Sequence, residues 1–277
     1  MSKPGIVRGN VLTVIAGFLL ASRGHIDWMS LVAVVSGTAL VIASACVINN
    51  YIDRNIDKKM ERTKKRALVT GSISLKAALV YASVLGIAGF IILAAFTNFV
   101  ALAAGIVAYI FYVFLYGLAK RKSYHGTLVG TVPGALPIVA GYVAVTGVFD
   151  LGALILFIIM VLWQMPHFYA IAIYRKADYS AAGIPVISIV KGIPATKRAI
   201  LWYILAFAVA ASCLAVAGYA GVIYLFVMIA MSLLWFVFGY RGITSKNDMK
   251  WAKNMFRFSL LVTLVFSVLI SVDNLWF

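Results

Sequence analysis

"NNYIDRNIDKKMERTKKRAL", residues 49–68, follows directly on the apolar run "LVAVVSGTALVIASACVI" at 31–48. It places Asn49, Asp53 and Asp57 at the exit of that run and carries seven Lys or Arg side chains within the same stretch. A segment that has just been able to cross a lipid core thus ends in carboxylates and a dense positive charge. Reading that juxtaposition requires knowing the solvent first.

The 277 residues are 64% hydrophobic and 12% charged, with a mean hydropathy of +1.03. Soluble domains are roughly half apolar and a quarter charged, so this chain belongs in a membrane. A hydrocarbon core of about 30 Å needs about 20 apolar residues per helix. Nine such segments are predicted, near 7–22, 28–51, 75–96, 98–118, 126–146, 150–174, 197–217, 219–240 and 254–274. Lipid offers no partner to backbone groups and these runs are too long for barrel strands, so an all-α polytopic protein is expected. No linker or low-complexity segment divides the chain, and a single domain over 1–277 is the economical reading. "MSKPGIVRGN" has neither a separate apolar core nor a small-residue cleavage site, so no signal peptide is expected.

The net charge of +16 is sorted by side rather than spread for nucleic acid. With the N-terminus in the cytoplasm, the connections after the second, fourth, sixth and eighth helices share one face, and of 24 Lys and Arg only Arg23 falls in an opposite-side loop. That is the positive-inside pattern of a multi-pass protein, expected in the bacterial inner membrane with the C-terminus outside. Cys46 and Cys213 lie in apolar helices and imply neither a disulfide nor a metal framework. Opposite-side loops such as "TGVFD" and "GYAG" are short, whereas 50–74 and 175–196 are long and begin with acidic residues. Two such loops four helices apart suggest a weak internal repeat with a site between the halves.

At about 100° and 1.5 Å per residue, positions 49, 53 and 57 stay on one helix face and form a stripe of oxygen ligands. Mg²⁺ takes one or two carboxylates and leaves its other positions to water and phosphate. Arg54, Lys58, Arg62 and Arg66 would then face the phosphates, as would Lys120, Arg121 and Lys122 of "KRK". The bland alternative is a set of topogenic charges and helix-surface ion pairs, but acids at membrane depth are costly and usually face a cavity.

"NNYIDRNIDKKMERT" resembles the N-x-x-x-D-x-x-x-D motif of the UbiA superfamily of intramembrane prenyltransferases. With "GTLVGTVPGALPIVAGY" and "WQMPHFYAIAIYRKADYSAAGIPV", the chain from "KPGIV" to about residue 195 is similar to the haem-farnesylating branch of that superfamily. The resemblance implies a nine-helix bundle around a central cavity open to the cytoplasmic side. It also implies transfer of the farnesyl group of farnesyl diphosphate to a vinyl group of haem B, with water added and Mg²⁺ required. Asn49, Asp53 and Asp57 would be catalytic, and Asp53, Asp57 and Asp178 would be metal contacts. Many superfamily members carry two aspartates in the second loop where this chain has Asp178, preceded by Arg175, a further diphosphate candidate. A haem A synthase or terminal oxidase would be the membrane partner.

His167 follows Pro166 and has two readings: a cap for carbonyls freed at the proline kink, or an axial ligand of haem iron. Gly126, Gly130 and Gly134 also have two readings, close helix packing or a flat slot for a porphyrin. Other classes fit less well. A transporter would line a midplane path with its charges. A CDP-alcohol phosphotransferase would show a D-G-x-x-A-R lead-in, and a quinone or chlorophyll prenyltransferase would keep a two-aspartate second motif.

Overall fold

The structure is a computed structural model that describes residues 2–273. Among the described residues, nine helices are long and apolar enough to cross a membrane. In chain order these are α1 (Pro4–Ser22), α2 (Trp28–Asp57), α3 (Leu75–Phe96), α4 (Phe99–Lys122), α5 (Gly126–Thr146), α6 (Leu151–Tyr174), α7 (Gly192–Val216), α8 (Val222–Arg241) and α9 (Asp248–Val272). Three one-turn or two-turn helices, Ala67–Thr70, Lys176–Ala181 and Ile187–Val190, lie in the two long loops.

Several helices begin where a short polar side chain accepts the otherwise orphaned first N–H groups. Asp27 caps α2, Ser74 caps α3, Asn98 caps α4, Asp150 caps α6 and Asn247 caps α9. The helices run past their apolar stretches. α2 continues from the expected 51 to Asp57, α4 from 118 to Lys122, and α7 and α9 start earlier than expected, at Gly192 and Asp248. Hydropathy registers only the part of a helix that meets lipid, so charged turns beyond it escaped. Residues 192–196, expected in the second long loop, are consequently the first turn of α7. The expected end of the last span at 274, and the C-terminal Phe277, lie outside the described residues.

Small residues set how closely the helices approach. On α2, Gly37 packs against Leu93 of α3, and Gly89 of α3 meets Val41 and the Gly37 carbonyl of α2. Gly17 of α1 sits on the Ile138 carbonyl, and Gly141 of α5 sits on the Val14 carbonyl, so α1 and α5 pack backbone to backbone. Such contacts substitute for the hydrophobic drive that lipid removes. α5 and α6 are the most enclosed, with 61% and 56% of their apolar windows buried against 22% for α3 and α4. They form the centre, and α3 and α4 lie on the outside of the bundle.

The glycine stripe of α5 is a packing surface. A Cβ on Gly126 would stand 2.5 Å from the Lys120 Cα, one on Gly130 would stand 2.8 Å from the Tyr116 ring, and one on Gly134 would overlap the Gln164 amide. No flat slot remains along it, because α4 and α6 already fill it. The stripe thereby brings the end of α4 against α5.

Candidate functional site

The C-terminal turns of α2 carry the stripe, and the structure buries it. Asn49 is 4% exposed, Asp53 6% and Asp57 2%. Carboxylates at that depth need partners, since leaving one buried and unpaired costs several kcal/mol. Each has found them. The Lys120 ammonium ion-pairs with Asp53 Oδ2 and also donates to Asn49 Oδ1 at 3.2 Å. Arg121 reaches Asp53 Oδ1 at 3.2 Å, and Asn49 donates to Asp53 Oδ2 at 2.9 Å. Asp57 pairs with Arg66, Nη1 to Oδ2 at 2.5 Å, and the same nitrogen donates to Asn50 Oδ1 at 3.1 Å.

Two local features make these pairings. In α4 a wide π turn, Phe111–Leu115, interrupts the regular helix one turn before Lys120, and the Lys120 ammonium lies 5.0 Å from the Tyr116 ring centroid. Such turns re-aim the side chains that follow them. After α2, residues 58–66 fold back in successive tight turns, with Met60 and Thr63 buried and the Thr63 hydroxyl donating to the Asp57 carbonyl. That fold-back returns Arg66 to Asp57.

The second long loop meets the first. Asp178 Oδ1 accepts from the Glu61 backbone N–H at 3.0 Å, and Asp178 Oδ2 lies 3.6 Å from Arg175. Asp178 therefore clamps the loops together and is not gathered with Asp53 and Asp57. Burial pushes the Tyr179 phenol up, opposed by the neighbouring Arg62 guanidinium, so Arg62 also faces this second loop. Arg175 stacks on Tyr174 at 5.4 Å.

Of the other basic candidates, Arg54 turns back to the Tyr51 carbonyl and ring. Lys58 and Lys122 are exposed. Two residues of the site were not among the sequence candidates. Asn50 holds Arg66, and its position seven residues before Asp57 was a usable signal for a shared helix face. Lys3 lines a cavity of about 260 Å³ together with Asn50, Asp57 and Arg66. Desolvation is the largest influence on the Lys3 ammonium and lowers its pKa to about 8, with Arg66 and Lys120 adding to the effect and Cys46 and Asp53 opposing it.

His167 caps no freed carbonyl in the structure. Its Nδ1 lies 2.8 Å from Ser259 Oγ on α9, and Ser259 Oγ donates to the Phe256 carbonyl at 2.7 Å. The imidazole packs between Trp163 and Phe256, at centroid distances of 5.0 and 4.7 Å.

The donor set suits a hard divalent ion carried in by an anion. Among the described residues no three His, Cys, Asp or Glu side chains are gathered into a protein cage. Two carboxylates and an amide oxygen are what Mg²⁺ needs when phosphate supplies the rest.

Among the described residues, nine helices long and apolar enough to cross a membrane, with acids and bases paired and buried where α2, α4 and the 58–66 turns meet, define a polytopic membrane protein. The model of the UbiA prenyltransferase family matches residues 10–261, and the chain belongs to that family. It is 53% identical over 274 residues to the protoheme IX farnesyltransferase of Yersinia pseudotuberculosis serotype O:1b (strain IP 31758), covering 99% of this chain and 93% of that one. A structure of digeranylgeranylglyceryl phosphate synthase superposes with a TM-score of 0.80 at 19% identity, over 99% of this chain and 95% of that one. A UbiA homolog from Archaeoglobus fulgidus, solved bound to DMAPP and Mg²⁺, gives a TM-score of 0.74 at 16% identity over 98% of both chains.

Proposed function

We propose that this protein transfers the farnesyl group of farnesyl diphosphate to a vinyl group of haem B, with water added, to give haem O and diphosphate. The buried stripe of Asn49, Asp53 and Asp57, ringed by Lys120, Arg121 and Arg66, carries the reading. The name of the Yersinia relative supports the farnesyl and haem specificity. The strict sorting of basic residues supports an inner-membrane location with the N-terminus cytoplasmic. Lys3 beside Asp57 puts the start of α1 on the same face as the 50–74 loop.

The ion pairs suggest how the site works. With no substrate bound, Lys120, Arg121 and Arg66 neutralise the aspartates and keep the site folded. With a metal diphosphate bound, Asp53 and Asp57 would hold the metal, and Lys120, Arg121 and Arg66 would hold the phosphate oxygens. The charges would exchange partners, so neither Asp53 nor Asp57 would be left buried and unpaired. Mg²⁺, when bound, supplies Lewis-acid neutralisation of the departing diphosphate.

The chain's cations do the rest. They stabilise negative charge as the C1–O bond of farnesyl diphosphate breaks and its electron pair leaves with the diphosphate. Vinyl π electrons form the new C–C bond to C1. The resulting carbocation next to the porphyrin ring takes up water and releases a proton. Asn49 orients Asp53 throughout. Asp178 closes the site from the second loop and acts as an outer contact through water, since its oxygens are already engaged by Glu61 and Arg175.

His167 is proposed as the haem contact. Ser259 gives its hydroxyl proton to the Phe256 carbonyl, so the imidazole donates Nδ1–H to Ser259 and keeps a lone pair on Nε2. A second hydrogen bond that fixes the tautomer is the usual support for a ligating histidine. Haem O so made would pass to a haem A synthase or terminal oxidase.

The test uses purified protein in detergent with haem B, farnesyl diphosphate and Mg²⁺. A later-eluting haem on reversed-phase chromatography is expected. Turnover of farnesyl diphosphate without any new haem would point to another acceptor.

A further inference from the structure

The segment before α1 supplies a cation that the motif and the basic loops do not announce. Lys3 is half-buried and lines the 260 Å³ cavity opposite Asp57 and Arg66. A single water needs only about 10–15 Å³ of such volume, so the cavity is roomy enough for a polyatomic anion. Lys3 is also anchored. Its carbonyl accepts from the N–H groups of Ile6 at 2.9 Å and Val7 at 3.3 Å, which fixes it to the first turn of α1. Its backbone is left-handed, at φ 50°, a conformation that a residue with a Cβ adopts only when its surroundings hold it there.

Lys3 differs from the three cations that hold the aspartates. Lys120 and Arg121 are held by Asp53, and Arg66 is held by Asp57. Lys3 makes no ion pair with a described carboxylate. Among the described residues, the carboxylates nearest this ammonium, Asp53 and Asp57, are already paired with other cations, so the cavity that Lys3 faces suits an anion from outside the chain. The cavity wall identifies its kind. Arg66 and Asn50 can donate to oxygen, and Asp57 is placed to hold a metal that the same anion would share.

We infer that Lys3 binds a phosphate oxygen of the prenyl diphosphate on the Asp57 side of the site, making the start of the chain part of the diphosphate pocket. This rests on the prenyl diphosphate reading above. It also divides the work. Lys120 and Arg121 serve the Asp53 side, while Lys3 and Arg66 serve the Asp57 side.

The experiment measures binding of farnesyl thiolodiphosphate, which resists ionisation, to the full chain in detergent with Mg²⁺, by calorimetry. Lys3→Ala should weaken binding on the order of 10-fold, the usual worth of one charge-assisted hydrogen bond. Lys3→Arg should restore most of it. On wild-type protein, inorganic diphosphate with Mg²⁺ should slow acetylation of the Lys3 amine, read by mass spectrometry, so the inference stays testable if Lys3→Ala fails to assemble. Equal binding by wild type and Lys3→Ala, or acetylation unaffected by diphosphate, overturns this inference alone. Failure of wild type to bind the thiolodiphosphate overturns the prenyl diphosphate reading and this inference with it.

Discussion

The two long loops occupy equivalent places, each after an even-numbered helix, yet they handle acid differently. At the exit of α2, Asp53 and Asp57 are buried and each is gripped by guanidinium or ammonium groups. At the exit of α6, the single Asp178 accepts from a backbone N–H and keeps Arg175 only at 3.6 Å. The first arrangement concentrates charge that, in the proposed mechanism, is exchanged for a metal and an anion. The second ties loop to loop. Two similarly placed loops thus form one charge centre and one clamp.

The comparison is broken most severely at the α2 exit. Asp53→Asn or Asp57→Asn retains size and hydrogen bonding but removes charge where the leaving group must be neutralised. Turnover should fall on the order of 10²- to 10³-fold, the loss seen when one such electrostatic contributor is removed. Haem product formed at matched membrane levels measures it. Asn49→Ala should be milder, since a neutral amide contributes less than a carboxylate.

Lys120→Ala tests the resting pairing. With Asp53 left buried and short of a cation, the protein without substrate should lose about 3 kcal/mol of stability, read as a lower melting temperature in detergent. Weaker farnesyl diphosphate affinity should accompany it. A variant that lost affinity but kept full stability would show that the resting ion pair contributes nothing.

Asp178→Asn should cost less, about tenfold in turnover, because an amide oxygen can still accept from Glu61 and only a charge-assisted bond is weakened. Lys58→Ala and Lys122→Ala should be smallest, within about twofold in farnesyl diphosphate affinity, as expected for exposed charges. A larger loss in either would mean that the exposed cations fold onto the diphosphate.

The contrast between the loops also shows what the sequence can reveal. The nine spans were legible because hydropathy averages over whole turns, and the stripe was legible because 49, 53 and 57 repeat at helical spacing. The pairing of Asp53 with Lys120, 67 residues away, and of His167 with Ser259, 92 residues away, was not, because helix packing alone decides those contacts. "KRK" was read as one phosphate-binding group, but the helix points Lys120 inward and leaves Lys122 exposed. Lys3 was quoted only as the start of "KPGIV", and its place beside Asp57 was not legible because one lysine before an apolar run looks like any topogenic charge. The glycine stripe had two readings until Tyr116 and Gln164 were seen filling it.

A Mg²⁺ titration of turnover, comparing Asp53→Asn with Asp178→Asn and wild type, tests most directly whether the metal site belongs to the α2 exit. The account predicts that half-saturation in Asp53→Asn moves to Mg²⁺ concentrations on the order of 10-fold higher or more, with added metal restoring part of the rate, because a direct ligand has lost its charge. Asp178→Asn should shift the requirement less than Asp53→Asn does, because Asp178 is engaged by the Glu61 N–H and Arg175 and is not gathered with Asp53 and Asp57. An equal shift in both variants, or none in Asp53→Asn, would contradict it.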